Sequence, residues 1–412
     1  MSITTAMQTG VSGLLANGEA ISVIGNNLAN INTTGFKQGR TLFSDMLSST
    51  ISNGQIGRGG QIQAVENIFS QGSLENTGSA TDLAIQGDGM FVLQDPASNA
   101  RYYSRAGAFS FDRDNILTNP DGYRVLGFGI TNGVSNGVLG SINLANFTKM
   151  APRATSAINV MANLDASQTV PTSAWTPAVA GFNPIAASNF STSTTAYDAQ
   201  GNATQLTMYF TKTAPDAWSV YTYDGSNYTA AGAGIPLTFN TDGTIATVNG
   251  AATTPLPATG FPTISTNGVT VNLQGTTQFA TSSAISSKGQ DGYGAGDLVK
   301  VSVDEKGFVN VLYTNSMTQK IAQVGLAKFA SLSGLDKVGG SLFAETVSSG
   351  QAIIDPSNLS SNKISANSLE QSNVDMADQL VKMITTQRAY TANSKTITAA
   401  DQLMQDTLNI IR

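Results

Sequence analysis

The stretch that decides the fold is MADQLVKMITTQRAYTANSKTITAADQLMQDTLNII, residues 376–411. Met376, Met383, Tyr390, Ile397, Met404 and Ile411 recur along it every seven residues, and neither Gly nor Pro interrupts the run. Asn373 and Val374 can start this helix. The position four residues further on is mixed, with Leu380 and Leu408 apolar but Gln387, Ser394 and Asp401 polar. The other chain end keeps the same period through Met7, Leu14, Ile21 and Leu28, with Val11, Ile24 and Ile31 beside the stripe. A sustained seven-residue repeat makes a narrow seam that asks for a partner helix in left-handed packing. One long helix cannot bury such a stripe on itself. Two partners stay open at this point: the opposite chain end, in a private hairpin, or neighbouring copies. Gly10, Gly13, Gly18 and Gly25 each weaken the first helix by up to about 1 kcal/mol relative to Ala. Together with the half-polar second position and the disorder usual at termini, they predict ends that become ordered on association.

Between the ends, residues from about 70 to 145 and from about 288 to 360 read as short strands with turns. Thr81–Gln86, then Gly87-Asp88-Gly89, then Met90–Leu93 predicts strand, tight hairpin turn, strand. Arg101–Arg105, Ala108–Asp112 and Leu298–Val303 alternate at period two, and Asp304-Glu305-Lys306-Gly307 turns into Phe308–Tyr313. Asn-Gly pairs at Asn53, Asn132, Asn136, Asn249 and Asn267 supply hairpin turns. Residues 146–287 are poor in charge. Leu126 to Thr195 holds only Lys149, Arg153 and Asp165, and Ser226 to Ser287 only Asp242. Within this block, Gln205–Phe210 and Trp218–Tyr223 suit a half-buried hairpin, so it reads as an all-β domain inserted into another. The expected class is mainly β with α-helical, coiled-coil-like termini, in a discontinuous multi-domain chain with nested β domains.

Composition narrows the function. The 412 residues suggest two to four domains. Charged residues are 12% of the chain, against about 25% in an average soluble protein. The balance of 21 basic and 27 acidic side chains, −6, offers no cationic footprint for nucleic acid. With no His there is no Ser-His-Asp triad and no imidazole metal ligand; with no Cys there is no thiol nucleophile, disulfide or thiolate metal site. Catalytic, metal and cofactor sites are therefore all expected to be absent. A carbohydrate-active enzyme could still work with two carboxylates, but the aspartates of the low-charge block mostly sit beside Gly or in turns. A secreted carbohydrate-binding protein is the rival class, and it predicts an acidic cleft or stacked aromatics in the inserted domain. The first 36 residues carry one charge, Glu19, and polar residues break every apolar run, which fits neither a secretory signal nor a membrane span.

A more specific pattern lies at Ile24-Gly25-Asn26-Asn27-Leu28-Ala29-Asn30-Ile31-Asn32-Thr33-Thr34-Gly35-Phe36-Lys37. Asn tolerates the left-handed conformation and its amide can satisfy freed backbone groups, so the run is expected to end the first helix. Gly35 would permit a sharp turn and Phe36 would anchor the next segment in a neighbour. The whole string resembles the N-terminal signature of the bacterial flagellar rod, hook and hook-associated proteins. Leu369-Glu370-Gln371-Ser372-Asn373-Val374-Asp375, followed by Met383–Tyr390 with Gln387 and Arg388, is similar to the other end of that family. Tyr102–Gly107 and Asn119–Tyr123 extend the likeness. Distal rod members are shorter, whereas hook members carry an inserted β domain, whose start Ser191–Asn202 resembles.

The resemblance implies a terminal helical domain (1–30 with 372–412), a linking region (31–70 with 361–371), an inner β domain (71–145 with 288–360) and an outer β domain (146–287). It also implies a homo-polymer: a hollow, flexible tube joining rod to filament and transmitting torque as a universal joint. The implied partners are rod, hook-cap and hook–filament junction proteins and the flagellar type III export apparatus. The implied location is the basal body and hook, outside the cell after export.

Overall fold

The computed structural model describes residues 3–47, 57–131, 133–229, 234–253, 263–266, 268–356 and 362–410. Ile411, Asn53, Asn132 and Asn267 lie outside the described residues. Helix α1 spans Ile3–Ala29 and helix α2 spans Met376–Ile410. Strands make up the body between them. The chain divides into two compact units: Met1–Thr148 with Val299–Leu312 and Thr318–Arg412, and Lys149–Leu298 with Tyr313–Met317.

In the first unit, α1 is followed by an antiparallel hairpin of β1 (Gly39–Leu47) and β2 (Gly57–Asn67). Strand Thr318–Lys328 is the hub of the β body. It pairs antiparallel with Phe308–Tyr313, Arg124–Thr131, Met90–Gln94 and Ile353–Pro356. Met90, Val92, Tyr103, Leu126, Ala327 and Phe343 pack into one core beside it. Asp304 caps the turn before Phe308 as expected, its Oδ1 accepting the Phe308 N–H at 2.8 Å.

The Gly87-Asp88-Gly89 turn does not close a hairpin. Strand Leu83–Gln86 pairs with Lys363–Ala366, while Met90–Gln94 pairs with Arg101–Ser104 in a different sheet. The turn hands the chain from one sheet to the other. Gly87 has φ +116° there, and the Asp88 N–H donates to Asn362 Oδ1 at 3.0 Å. Asn136-Gly137 is likewise no hairpin turn, since it lies in a bulge of strand Val134–Ser141. Asn249-Gly250 does join two paired strands, with both residues at positive φ.

The second unit is a β-sandwich. Ile158, Val160 and Val271 from one sheet meet Met208, Phe210, Trp218, Val220 and Leu237 from the other. Strands Ala203–Ala214 and Ala217–Tyr223 pair as the sequence suggests, but they are covered on both faces. Period two sends Phe210 and Val220 into the sandwich core and Tyr209 and Tyr221 to the opposite face. There Trp175 stacks on Tyr221 with ring centroids 4.0 Å apart.

Asp291 ties down the start of strand Ala157–Asn163 in this unit. Its carboxylate accepts the Ser156 N–H (2.8 Å), the Ala157 N–H (2.9 Å) and the Ser156 hydroxyl (2.5 Å). These bonds hold its pKa down at about 2. A folded-state pKa below the unfolded value means stabilisation that is complete above pH 4 and is lost as the pH falls through 2. We expect Asp291→Asn to lower the neutral-pH stability of the second unit by about 1 kcal/mol, with solvent screening limiting the effect. The variant's deficit should shrink between pH 4 and pH 2, read by Trp fluorescence during urea unfolding.

Candidate assembly surface

The two terminal helices pair antiparallel within one chain, which answers the question their periodicity leaves open. A Cβ on Gly10 would sit 2.8 Å from Ile397 Cγ1, and one on Gly13 would sit 2.6 Å from Asn393 Nδ2. A Cβ on Gly18 would lie 3.9 Å from the Tyr390 ring. At the other end of the pair, Asn27 Nδ2 donates to Gln379 Oε1 at 3.2 Å. Gly10 and Gly13 therefore mark the close approach of α2, Gly18 would hold a Cβ in ordinary contact, and Gly25 faces no atom within 4 Å.

The second position of the α2 seam is not the one expected. Gln379 and Ala400 are buried and Asn393 lies against the glycines, while Leu380 is 41% exposed. The seam runs three residues after the methionine stripe, through Gln379, Thr386, Asn393 and Ala400, because small and polar groups fit against glycine. Of the apolar stripe, Met383, Ile397 and Met404 are half-buried, and Met376 and Tyr390 are exposed. Met7, Leu14, Ile21 and Leu28 are half-buried along the flank of the α1 contact.

Much apolar surface stays uncovered within the chain. Val11 and Leu15 on α1, Val381, Ile384 and Leu403 on α2, and Phe43 on β1 are all exposed, Leu15 to 66%. Large apolar side chains left exposed along both helices and β1 call for a partner to cover them.

The motif residues have definite places, several of them unexpected. Asn30 ends α1, its N–H bonding to the Asn26 and Asn27 carbonyls and its Nδ2 to Asn26 Oδ1 at 2.8 Å. No Asn of the run adopts positive φ; Gly35 does, at +67°. Asn27 does not terminate the helix. It is 2% exposed and exchanges two hydrogen bonds with the Gly39 backbone, fastening α1 to β1. Phe36 is buried in its own subunit rather than presented to a neighbour, with Lys337 Nζ 4.0 Å above its ring. Asn373 does not start α2. Its Oδ1 accepts the Gln38 N–H and its Nδ2 donates to the Ile68 and Ser70 carbonyls. Asp375 caps the helix by accepting the Asp378 N–H at 3.0 Å. Gln387 and Arg388 are exposed on α2.

Lys37 leads to the groups that sequence reasoning missed. Its Nζ is fully buried, 2.5 Å from Glu370 Oε1 and 2.8 Å from the Ser70 carbonyl. Arg105, also buried, reaches Glu370 Oε2 at 3.3 Å and the Gly87 carbonyl at 2.5 Å. The Gly72 N–H donates to Glu370 Oε1, and the Gly35 N–H to the Glu370 carbonyl. Burial pushes the Lys37 pKa down and the Glu370 charge opposes it. The available signal was scarcity: in so weakly charged a chain, three charges inside the quoted motifs call for partners.

Comparison with known proteins agrees with this layout. Four family profiles match: the flagella basal body rod protein (residues 7–37), the flagellar hook protein FlgE/F/G D1 domain (84–166), the flagellar basal body protein FlaE D2 domain (163–293) and the flagellar basal body rod FlgEFG protein C-terminal region (365–410). The flagellar hook protein FlgE of Escherichia coli K12 is 34% identical, over 98% of this chain and all of the relative. That of Brucella suis is 32% identical, over 100% of both chains. The chain belongs to the flagellar hook protein family. It is a structural subunit of the hook and is located there. The structure of Helicobacter pylori flagellar hook protein FlgE2 shares the fold, at a TM-score of 0.51 and 15% identity over 72% of this chain and all of that one. In this hook subunit the D2 match falls inside the second compact unit, and the rod and C-terminal matches cover most of α1 and all of α2 together with Lys37 and Glu370. Among the described residues no helix is long and apolar enough to cross a membrane.

Proposed function

We propose that copies of this hook subunit stack helically into a hollow, flexible tube, a universal joint carrying torque from rod to filament. The observation that carries this reading is the apolar surface left on α1, α2 and β1 after the helices have paired. Apolar groups of this kind gain about 25 cal/mol for each Å² removed from water. The four-part division into terminal helices, linking region, inner and outer β domains is adopted with it. The partners are further copies, rod, hook-cap and hook–filament junction proteins, and the type III export apparatus that delivers the chain. Its task is mechanical, without catalysis, cofactor or metal.

The low-charge surface of the second unit suits contacts that slide during bending, because few ion pairs fix a geometry. The rival carbohydrate reading asks for aromatic platforms. The second unit has a cluster of rings, but Trp175, Tyr209 and Tyr221 are buried against one another rather than offered to a sugar.

Electron microscopy of the purified full chain under polymerising conditions tests the proposal. We expect tubes from the natural sequence and none from Leu15→Glu combined with Ile384→Glu. Both side chains are exposed in the subunit, so its unfolding free energy should change by about 0.5 kcal/mol or less per site. Tubes formed by the double variant would refute the assignment of this surface.

A further inference from the structure

The path from α1 into the β body and the path from the body back to α2 meet at one carboxylate. Residues 35–37 follow α1, residues 70–72 follow β2, Arg105 belongs to the body, and Glu370 lies six residues before the first residue of α2. Glu370 joins its own segment to the other three, with its side chain on Lys37, Gly72 and Arg105 and its carbonyl on the Gly35 N–H. We propose that Glu370 is a positioning residue for torque transmission, a clasp that fixes the paired terminal helices to the β body so that force on either helix reaches the body without play. This rests on the mechanical reading above and deepens it.

The chemistry supports stiffness at this point. Charge-assisted hydrogen bonds are short, strong and geometrically specific, whereas apolar attraction has no preferred direction of its own. Lys37, Arg105 and Glu370 are excluded from water, so salt screens them far less than an exposed pair. Two cations share one carboxylate, and Arg105 Nε is left with no hydrogen-bond partner. Removing the negative charge would strand both cations, so the cluster does not relax gradually. Neighbouring bonds brace the same joint: Asn373 grips residues 38, 68 and 70, and Asn27 grips Gly39 and Gln379. The compliance that a bending tube needs is thereby placed elsewhere in the subunit.

The test is amide exchange by mass spectrometry on the full-length monomer, comparing the natural chain with Glu370→Gln and Glu370→Asp. Gln keeps the shape and loses the charge; Asp keeps the charge and loses a methylene. For the Gln variant we expect exchange at residues 35–38, 70–73 and 105–107 to accelerate roughly 100-fold or more, with strands Met90–Gln94 and Thr318–Lys328 unchanged. The Asp variant should retain most of the protection, and hooks built from it in cells should twist under load nearly as the natural ones do. Gln hooks should twist further.

Protection in the Gln variant equal to or better than in Asp would overturn the proposal, as would a loss spread evenly through the body strands. If the Gln variant does not fold, Lys37→Met replaces it, since Glu370 then keeps Arg105. It should speed exchange at 35–38 and 70–73 alone, and unchanged exchange there would overturn the clasp equally. Exchange is read on the monomer, so a failure of the full chain to form tubes is a separate result.

Discussion

Gly35→Ala is expected to lower the melting temperature of the first unit by about 10 °C, corresponding to roughly 3 kcal/mol. Two costs add. Gly35 sits at φ +67°, a left-handed conformation that costs an L side chain about 1–2 kcal/mol. A Cβ there would also collide with the Ala106 backbone nitrogen and come within 2.6 Å of the Arg105 carbonyl carbon. Backbone cannot swing aside as a flexible side chain can, so the turn must open. Opening it withdraws the Gly35 N–H from the Glu370 carbonyl, a bond of 2.7 Å. Gly25→Ala is the internal control, because no atom lies within 4 Å of its added Cβ and the site is inside α1. It should stabilise the helix by up to about 1 kcal/mol. Differential scanning calorimetry on the two variants should show shifts of opposite sign, and equal shifts would mean that Gly35 is not held by the contacts described.

How far each feature could be read from residues alone depends on whether its cause is local. The helices were legible because heptad spacing is a property of one segment. The strands around Phe308 and the pairing of Gln205–Phe210 with Trp218–Tyr223 were legible for the same reason. The seam between the helices was not, because it depends on what the partner offers. Read by hydrophobicity, α2 should have used Leu380, which is exposed. Against glycines, the better fit is Asn393 beside Gly13 and Gln379 bonded to Asn27. Asn27 and Phe36 erred in the same way, since a helix terminator and an outward anchor are local roles and both residues are spent on long-range contacts within the subunit. Glu370 lies more than 300 residues from Lys37, and no periodicity connects them. The Gly87-Asp88-Gly89 turn misled because turn chemistry reports a reversal of the chain, not which sheet receives it.

The largest functional effect should come from Gly10→Leu combined with Gly13→Leu. Helix propensity alone predicts a gain, since Leu is better than Gly by close to 1 kcal/mol at each site. Packing predicts the reverse. A Cβ at Gly10 meets Ile397 Cγ1 at 2.8 Å and one at Gly13 meets Asn393 Nδ2 at 2.6 Å, before any of the rest of a leucine is placed. Overpacking costs about 1–3 kcal/mol for each such intrusion, and here the interface has an inexpensive escape, which is to separate. Once apart, α2 has lost the neighbour that covers Gln379 and Ala400. A long helix with a half-polar seam is marginal alone in water. We therefore expect the double variant to keep the exchange protection of its β strands, to lose protection along Met376–Ile410, and to form no tubes. Circular dichroism at 222 nm separates the two forces directly, because propensity predicts more helix and packing less. Tubes of normal appearance from this variant would mean that pairing of the ends inside one subunit is dispensable for assembly, with the exposed faces of the helices finding their partners independently.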